Sequence, residues 1–346
     1  MSKVSRRHFA IGLACLTGKA AWAGNTRRLP TSIPPASDTV GQPIAVRAVH
    51  SAIPSTYRLI WGDDFNSFQM RTGGPTYSGL ANGTGVWTPT HHTVFNPKGS
   101  YFGGEYAYMP DPTYPWGNGY PSLGQFEVSN SILRLRAERT PPALKGKLPI
   151  NPVTGQEFSF VGAAMTTFES VHIGPPCYIE TRMKLPRGKA LWPALWHVGM
   201  DNWPGIDHQE IDAVEQFQID RSDFPLSQSI RYMGHGTLVR KNSSDPMITD
   251  YEFLDQGAGD LSLNWHTWGM HFTNSTISYF LDNKLKRAQS TPLLLQNCKV
   301  NLIFDLTVGG GAPGIPDATT PSPAYLDIDW IKIWARNKNQ LWTNGI

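Results

Sequence analysis

The sequence is poor in the features that mark helical, membrane-spanning and disulfide-rich proteins. Only 16% of its 346 residues are charged and only three are cysteines. Long stretches with an apolar residue at every third or fourth position are hard to find, which argues against a helical protein. Glycine, proline and tryptophan are plentiful instead, with 33, 28 and 12 residues. Short apolar runs broken by Gly, Pro and Asn predict an all-β protein with long loops.

The N-terminus has the pattern of an export signal. Arg6 and Arg7 precede a short apolar run at 9–16, and Ala21 and Ala23 frame a small-x-small cleavage site. The run is far too short to cross a bilayer as a stable helix, so no membrane span is expected. The SRRHF arrangement resembles a twin-arginine signal. We therefore predict a signal peptide at residues 1–23 and a periplasmic or secreted protein.

Removal of that signal changes the charge balance. Residues 1–23 contain four basic residues and no acidic residue, so the 30 basic residues of the chain become 26 against 27 acidic ones. A nearly neutral mature protein gives no electrostatic footprint for nucleic acid. We expect a monomer with no nucleic-acid partner.

Two cysteines remain after processing, Cys177 and Cys298. An oxidising compartment permits one disulfide between them. Both begin apolar, strand-like runs, so a pair of buried thiols is the alternative and is slightly favoured.

The rest of the chain has the organisation of one domain. Residues 24–56 are rich in Pro, Ser and Thr and are predicted to be a flexible lead-in, 57–336 form the domain, and 337–346 are a C-terminal tail. Strands are predicted at 131–138, 177–185, 191–198, 209–217, 228–233, 265–273, 275–282, 299–308 and 326–335, with a hairpin at Thr273 and Asn274. Many antiparallel strands in a domain of this size predict a sandwich of two sheets. The aromatic, glycine-rich stretch 73–127 is predicted to be a functional loop region.

Three carboxylates crowd into the six residues EIDAVE, inside an otherwise apolar run. Because side chains alternate along a regular strand, Glu210 and Asp212 share one face while Glu215 points to the other. A β-bulge in which Ala213 and Val214 together oppose one partner residue would return Glu215 to the face of the other two. The sequence therefore predicts a bulge at this point.

A shared face for these acids suggests glycosidase chemistry. Retaining glycosidases place two carboxyl groups about 5–5.5 Å apart. We expect the backbones of Glu210 and Glu215 to lie about 6–7 Å apart, a gap that their side chains can close. Repulsion within the cluster would raise the pKa of one glutamate and keep an acid protonated near neutral pH. A solvated polar face and a set of ligands for a hard cation are the alternatives.

Two tryptophans lie just upstream, in LWPALWHV. Trp192 and Trp196 are four positions apart, so both project from one face of a strand. On a core face they would be bulky packing residues. On a substrate face they would form a stacking platform for sugar rings, because the apolar face of a pyranose suits an aromatic ring.

These motifs resemble the family 16 glycoside hydrolases, whose hallmark is E-x-D-x-x-E or E-x-D-x-E. Further similar segments are LIWGDDFNS, NWHTWGMHFTNSTISYFLDNK, LIFDLTVGGG and LDIDWIKIW, so the resemblance spans about residues 57–336. It implies a β-jelly roll with a concave substrate cleft and retaining chemistry. The six-residue motif resembles the laminarinase, agarase and carrageenase branch.

The resemblance also implies roles for individual residues. Glu210 corresponds to the nucleophile, Glu215 to the acid/base and Asp212 to the residue that orients them. Residues that the resemblance places at the substrate are Trp192, Trp196, Trp203 and His235; for His235, an ordinary loop histidine is nearly as good an interpretation. No cofactor is required, although Asp329 matches a position that binds a structural calcium in some members.

The sequence departs from the family pattern at Gln209, Cys177 and Asp305, where Gly, Gly and Asn are common. These departures leave the catalytic roles intact but leave the sugar unidentified. We expect an exported endo-acting hydrolase of a β-linked polysaccharide such as a β-glucan, a galactan or a bacterial exopolysaccharide. A transglycosylase and a non-catalytic carbohydrate-binding protein are the alternatives.

Overall fold

The computed structural model describes residues 52–68, 70, 85–89, 99–101, 104–112, 125–168, 170–199 and 208–343. The predicted signal peptide, nearly all of the lead-in, most of the 73–127 region and Trp203 lie outside the described residues.

Twenty strands, one short α-helix and three 3-10 helices make up the described part of the chain. The strands are β1 Arg58–Asp63, β2 Thr88–Pro89, β3 Gly99–Ser100, β4 Ala107–Pro110, β5 Phe126–Ser129, β6 Ile132–Arg139, β7 Phe160–Val161, β8 Ala163–Thr166, β9 Val171–Ile173, β10 Cys177–Lys184, β11 Leu191–Val198, β12 His208–Glu215, β13 Tyr232–Arg240, β14 Ile248–Asp255, β15 His266–Phe272, β16 Thr276–Leu281, β17 Lys284–Ser290, β18 Ile303–Val308, β19 Ala324–Ala335 and β20 Leu341–Thr343. The α-helix α1 is Leu226–Ser229, and the 3-10 helices are Pro142–Leu144, Leu293–Leu295 and Lys338–Gln340.

These strands form two large sheets and one small one. The seven-stranded sheet has the order β14-β13-β12-β11-β18-β8-β2. The eleven-stranded sheet has the order β17-β16-β15-β10-β19-β6-β7-β4-β3, with β1 beside β19 and β5 beside β6. A two-stranded sheet joins β20 to β9. Every pairing is antiparallel except that of β4 with β7, so the predicted all-β sandwich of two antiparallel sheets is confirmed.

Alternation of apolar and polar residues explains why each sheet has one buried face. In β6, Leu133, Leu135 and Ala137 are buried while Arg134 and Arg136 face outwards. Most buried apolar side chains of both large sheets belong to one core cluster. Burying alternate apolar side chains between two such faces supplies the main driving force for this kind of fold. The other face of each sheet remains free to carry polar chemistry.

Most strand predictions agree with the structure, and the hairpin at Thr273 is confirmed because its N–H donates to the carbonyl oxygen of Thr276 at 2.9 Å. The predicted strand 228–233 is wrong over most of its length. Helix α1 covers its first two residues, and β13 begins only at Tyr232. Pro225 directly precedes this helix, where its fixed φ and missing N–H favour a helix start.

Cys177 and Cys298 are both buried, and no disulfide joins them. The prediction of two buried thiols is confirmed, and the disulfide alternative is wrong. Burial away from water raises the pKa of the Cys177 thiol, which keeps it protonated and unreactive. Within the described residues, no helix has both the length and the apolarity that crossing a membrane requires.

Candidate active site

The carboxylate motif lies on β12, in the middle of the seven-stranded sheet, and it contains the predicted bulge. Asp212 pairs with Gly236 and Glu215 with Gly234, so Ala213 and Val214 together oppose His235 on β13. The same extra residue shifts the register with β11. Ile211 and Val214 pack into the core, which leaves the three acids on the opposite face. We call this opposite side the carboxylate face; it carries Glu210, Asp212 and Glu215.

The three acids are spread more widely along the strand than expected. On β11, Glu210 lies opposite Val198 and Glu215 opposite Ala194. Four residues of strand correspond to about 13 Å of backbone, so the expectation of 6–7 Å between the backbones is wrong. Residues on one face of a strand are two positions apart, so each pair of acids is separated by two ladder steps. The gap has to be closed by the long glutamate side chains, with Asp212 between them.

Glu215 is held by two hydrogen-bond donors. The Tyr251 hydroxyl donates to Oε2 at 2.6 Å, and Trp192 Nε1 donates to Oε1 at 3.1 Å. Burial raises the pKa of Glu215 from 4.5 to about 7, aided by the charge of Glu210 and opposed by the Tyr251 and Trp192 hydrogen bonds. A carboxyl group with such a pKa can give up and take back a proton near neutral pH, as a general acid/base must.

Asp212 lies between the two glutamates and is 3% exposed. Burial raises its pKa well above the usual range, and the charges of Glu210 and Glu215 add to that effect. A protonated Asp212 can donate a hydrogen bond to the carboxylate of Glu210. On the other side, His208 Nε2 lies 2.9 Å from Glu210 Oε2. Glu210 is thus contacted by Asp212 and by His208.

Trp192 and Trp196 are both half-buried, and they flank Ala194 on β11. Trp196 Nε1 donates to Asp305 Oδ2 on β18 at 2.7 Å, while the indole of Trp192 binds Glu215. Their shared face is the carboxylate face, because Ala194 pairs with Glu215 and Trp196 with Asp212. The indole N–H groups are used to orient carboxyl groups; stacking of sugars on the rings stays a prediction.

Asp305 is a further buried carboxyl group on this face, 2% exposed and opposite Ala194. Burial raises its pKa well above the usual range, opposed by the hydrogen bond from Trp196, and the charges of Glu215 and Glu105 raise it further. At the position that departs from the family pattern, burial therefore favours the neutral form of the acid.

His235 does not lie on the carboxylate face, so the interpretation of this residue as a cleft histidine is wrong. It is 1% exposed, and its ring stacks on Tyr279 of the other sheet with 5.0 Å between ring centroids. Its Nδ1 lies 2.8 Å from the carbonyl oxygen of Ala213. Alternation along β13 puts Gly234 and Gly236 on the carboxylate face and His235 behind the bulge. The histidine thus supports the extra residue from the core side.

Tyr251 was missed by sequence reasoning. The alternation in TDYEFLD on β14 would place Tyr251 and Phe253 on one face, but nothing in the sequence pairs β14 with β13. The close approach of Tyr251 to Glu215 requires glycine on β13. A Cβ at Gly236 would lie 2.6 Å from Tyr251 Cα, and a Cβ at Gly234 would collide with the Tyr251 hydroxyl.

Asp329 does not fit a calcium site. It is the extra residue of a bulge between β19 and β10, and its carboxylate pairs with the guanidinium of Arg182. A guanidinium already neutralises this carboxylate, and a calcium ion needs six to eight oxygen ligands. Among the residues that the structure describes, no three His, Cys, Asp or Glu side chains cluster as metal ligands would.

Comparison with characterised proteins finds polysaccharide-cleaving relatives. No family model matches the chain. It is 23% identical over 276 residues to the endo-1,3-1,4-beta-glycanase ExsH of Rhizobium meliloti, covering 80% of this chain and 51% of that protein. It is 26% identical over 219 residues to a glucan endo-1,3-beta-glucosidase of Cryptopygus antarcticus, covering 56% and 76%. The chain thus spans about half the length of the first of these relatives.

Solved structures share the fold. The catalytic domain of an endo-1,3-beta-glucanase (laminarinase) from Thermotoga petrophila matches with a TM-score of 0.55 and 22% identity, covering 81% of this chain and 98% of that domain. A glycoside hydrolase family 16 endo-glucanase from Bacteroides ovatus matches with a TM-score of 0.55 and 19% identity, covering 79% and 99%. These matches confirm the resemblance that the sequence motifs indicated: the fold of this chain is that of the family 16 glycoside hydrolases.

Proposed function

We propose that this chain is an exported, endo-acting glycoside hydrolase that cleaves a β-linked polysaccharide with retention of anomeric configuration. One observation carries the proposal. Glu215, with a pKa of about 7, is held by Tyr251 and Trp192 on the same face as Glu210. An acid that titrates near neutrality beside a second carboxylate is the combination that double displacement needs.

In the first step, a carboxylate oxygen of Glu210 attacks the anomeric carbon and forms a glycosyl ester. The bond from that carbon to the leaving oxygen breaks, and Glu215 donates its proton to this oxygen. In the second step, Glu215 takes a proton from water, the hydroxide oxygen attacks the anomeric carbon, and Glu210 leaves as a carboxylate. Asp212 orients the Glu210 carboxylate by a hydrogen bond. The steps require no metal ion or cofactor.

The relatives favour a β-glucan as the substrate class. The names of ExsH, of the Cryptopygus enzyme and of the laminarinase structure all refer to cleavage within β-1,3 or β-1,3-1,4 glycans. The glycan chain lies along the carboxylate face, where Trp192 and Trp196 are proposed to stack on the sugars, and Trp203 is a further residue proposed to bind them. Export by the twin-arginine-type signal would bring the enzyme to such polymers outside the cytoplasm.

A non-catalytic glucan-binding protein is the second candidate. The chain is 23% identical over 211 residues to a beta-1,3-glucan-binding protein of Penaeus monodon. The presence of all three acids on one face, with Glu215 held by two hydrogen-bond donors, favours catalysis over binding alone. A transglycosylase uses the same covalent intermediate, with a sugar hydroxyl in place of water.

The test is a screen of the purified mature protein against β-1,3-glucan, mixed-linkage β-glucan, galactans and bacterial exopolysaccharides, with the product sizes measured. We expect cleavage within the chains of at least one β-glucan. Glu210→Ala should abolish turnover while the protein remains folded. Glu215→Ala should lose most turnover and recover part of it with added azide, which attacks without needing a base.

Normal turnover by Glu210→Ala would refute the mechanism. Release of single sugars only would refute the endo action. Binding of the glucans without cleavage would favour the second candidate, and larger products in the presence of acceptor oligosaccharides would indicate a transglycosylase.

A further inference from the structure

His208 stands beside Glu210 at the start of β12, on the same face of the strand. Its Nε2 lies 2.9 Å from Glu210 Oε2, and the side chains of the two residues are 17% and 18% exposed. A carboxylate oxygen is an acceptor, so the ring nitrogen in this contact is the donor. The imidazole thus lies directly against one carboxylate oxygen of Glu210.

The strand end that carries His208 is anchored on both sides. Its neighbour Gln209 is buried, accepts the N–H of Gly199 on its carbonyl oxygen at 2.9 Å, and donates its side-chain amide to the carbonyl oxygen of Leu294. On β13, His208 lies across from Arg240. The backbone that carries the imidazole is therefore fixed beside Glu210.

We propose that His208 is a positioning residue for the nucleophile, which it holds by donating its Nε2–H to Glu210 Oε2. The inference rests on the proposed function. Attack on a sugar passes through an oxocarbenium-like transition state in which the carboxylate keeps much of its charge. The hydrogen bond therefore persists through attack, and what it adds is the orientation of the carboxylate plane towards the anomeric carbon.

The size of this effect follows from two general magnitudes. A hydrogen bond to a charged group is roughly twice as strong as one between neutral groups, and misplacement of a reacting group by about 1 Å lowers rates by about a hundredfold. Loss of the imidazole should therefore slow attack by about tenfold or more. Substrate binding should change little, because His208 acts on Glu210 and not on the sugar.

The experiment measures attack by Glu210 alone. The probe is a β-1,3-linked glucose disaccharide with a 2-deoxy-2-fluoro substitution and a dinitrophenyl leaving group. The leaving group needs no general acid, and the fluorinated sugar traps the glycosyl ester. The inactivation rate constant and the binding constant are measured for the wild type, His208→Ala, His208→Gln and His271→Gln. His271→Gln is the matched control, since His271 lies on the other sheet beside Tyr57. Thermal unfolding verifies that each variant is folded.

We expect His208→Ala to react at least about tenfold more slowly with an unchanged binding constant. His208→Gln, whose amide can donate to Oε2, should recover most of the rate, and His271→Gln should behave as the wild type. An inactivation rate for His208→Ala equal to that of the wild type would overturn the proposal, as would a slow His208→Gln. If the wild type cleaved β-1,3-glucan but were not labelled on Glu210, the proposed function would fail, a result distinct from these two.

Discussion

Replacement of Tyr251 by Phe removes one hydroxyl group and leaves the ring in place between β13 and β14. That hydroxyl donates to Glu215 Oε2 at 2.6 Å and lowers the pKa of Glu215 against the effect of burial. A hydrogen bond to a carboxylate is worth about 1.5–3 kcal/mol, and 1.36 kcal/mol corresponds to one pKa unit. Because Tyr251 is only half-buried, we take the lower end, an increase of about one unit above the present value of about 7.

The pH dependence of kcat/KM for glucan hydrolysis reports this change. Glu215 must be protonated to act as the acid, so the rate falls as pH rises through its pKa. The alkaline limb of the Tyr251→Phe profile should therefore lie about one pH unit above that of the wild type. Tyr325→Phe, on the other sheet, is the control and should leave the limb in place. If the alkaline limb of the Tyr251→Phe profile were unchanged or lay at lower pH, this would refute the role given to Tyr251 and the assignment of Glu215 as the acid.

Two further predictions concern the bulge in β12 and the burial of Glu215. Deletion of Ala213 removes the extra residue that turns Glu215 to the carboxylate face, so hydrolysis should be lost. Ala213→Gly keeps the bulge and should retain most activity. An active deletion variant would contradict the claim that Glu215 needs the bulge to reach this face. Glu215→Gln should change how stability depends on pH. The folded pKa of Glu215, about 7, exceeds its ordinary value of 4.5, so the protonated carboxyl contributes stability below about pH 4.5 that is lost as pH rises through 7. Urea unfolding at pH 4 and pH 8 should show a smaller pH dependence in Glu215→Gln, by up to about 3 kcal/mol. Equal dependence in both proteins would show that Glu215 is not perturbed by burial.

The bulge shows how far sequence patterns reach. Two apolar residues, Ile211 and Val214, have to face the core, and three acids cannot share the other face without one extra residue between them. That constraint is local, so it was predictable from EIDAVE, and the structure confirms it. The same kind of alternation predicted the sandwich of two sheets.

The contacts that the sequence did not predict are those between distant segments of the chain. The stacking of His235 on Tyr279 depends on how the two sheets face each other, and the contact of Tyr251 with Glu215 depends on the pairing of β14 with β13. Neither is encoded in local periodicity, which gives a face but no partner. The spacing of the carboxylates differs from the expectation for another reason: residues on one face are two positions apart, as the register of β12 with β11 shows.

The most direct test of the central claim is the stereochemistry of the first product. Proton NMR during hydrolysis of a β-linked glucan records which anomer appears before mutarotation. Double displacement through Glu210 predicts that the β-anomer appears first and the α-anomer only later. Initial release of the α-anomer would mean a single displacement by water and would contradict the assignment of Glu210 as the nucleophile.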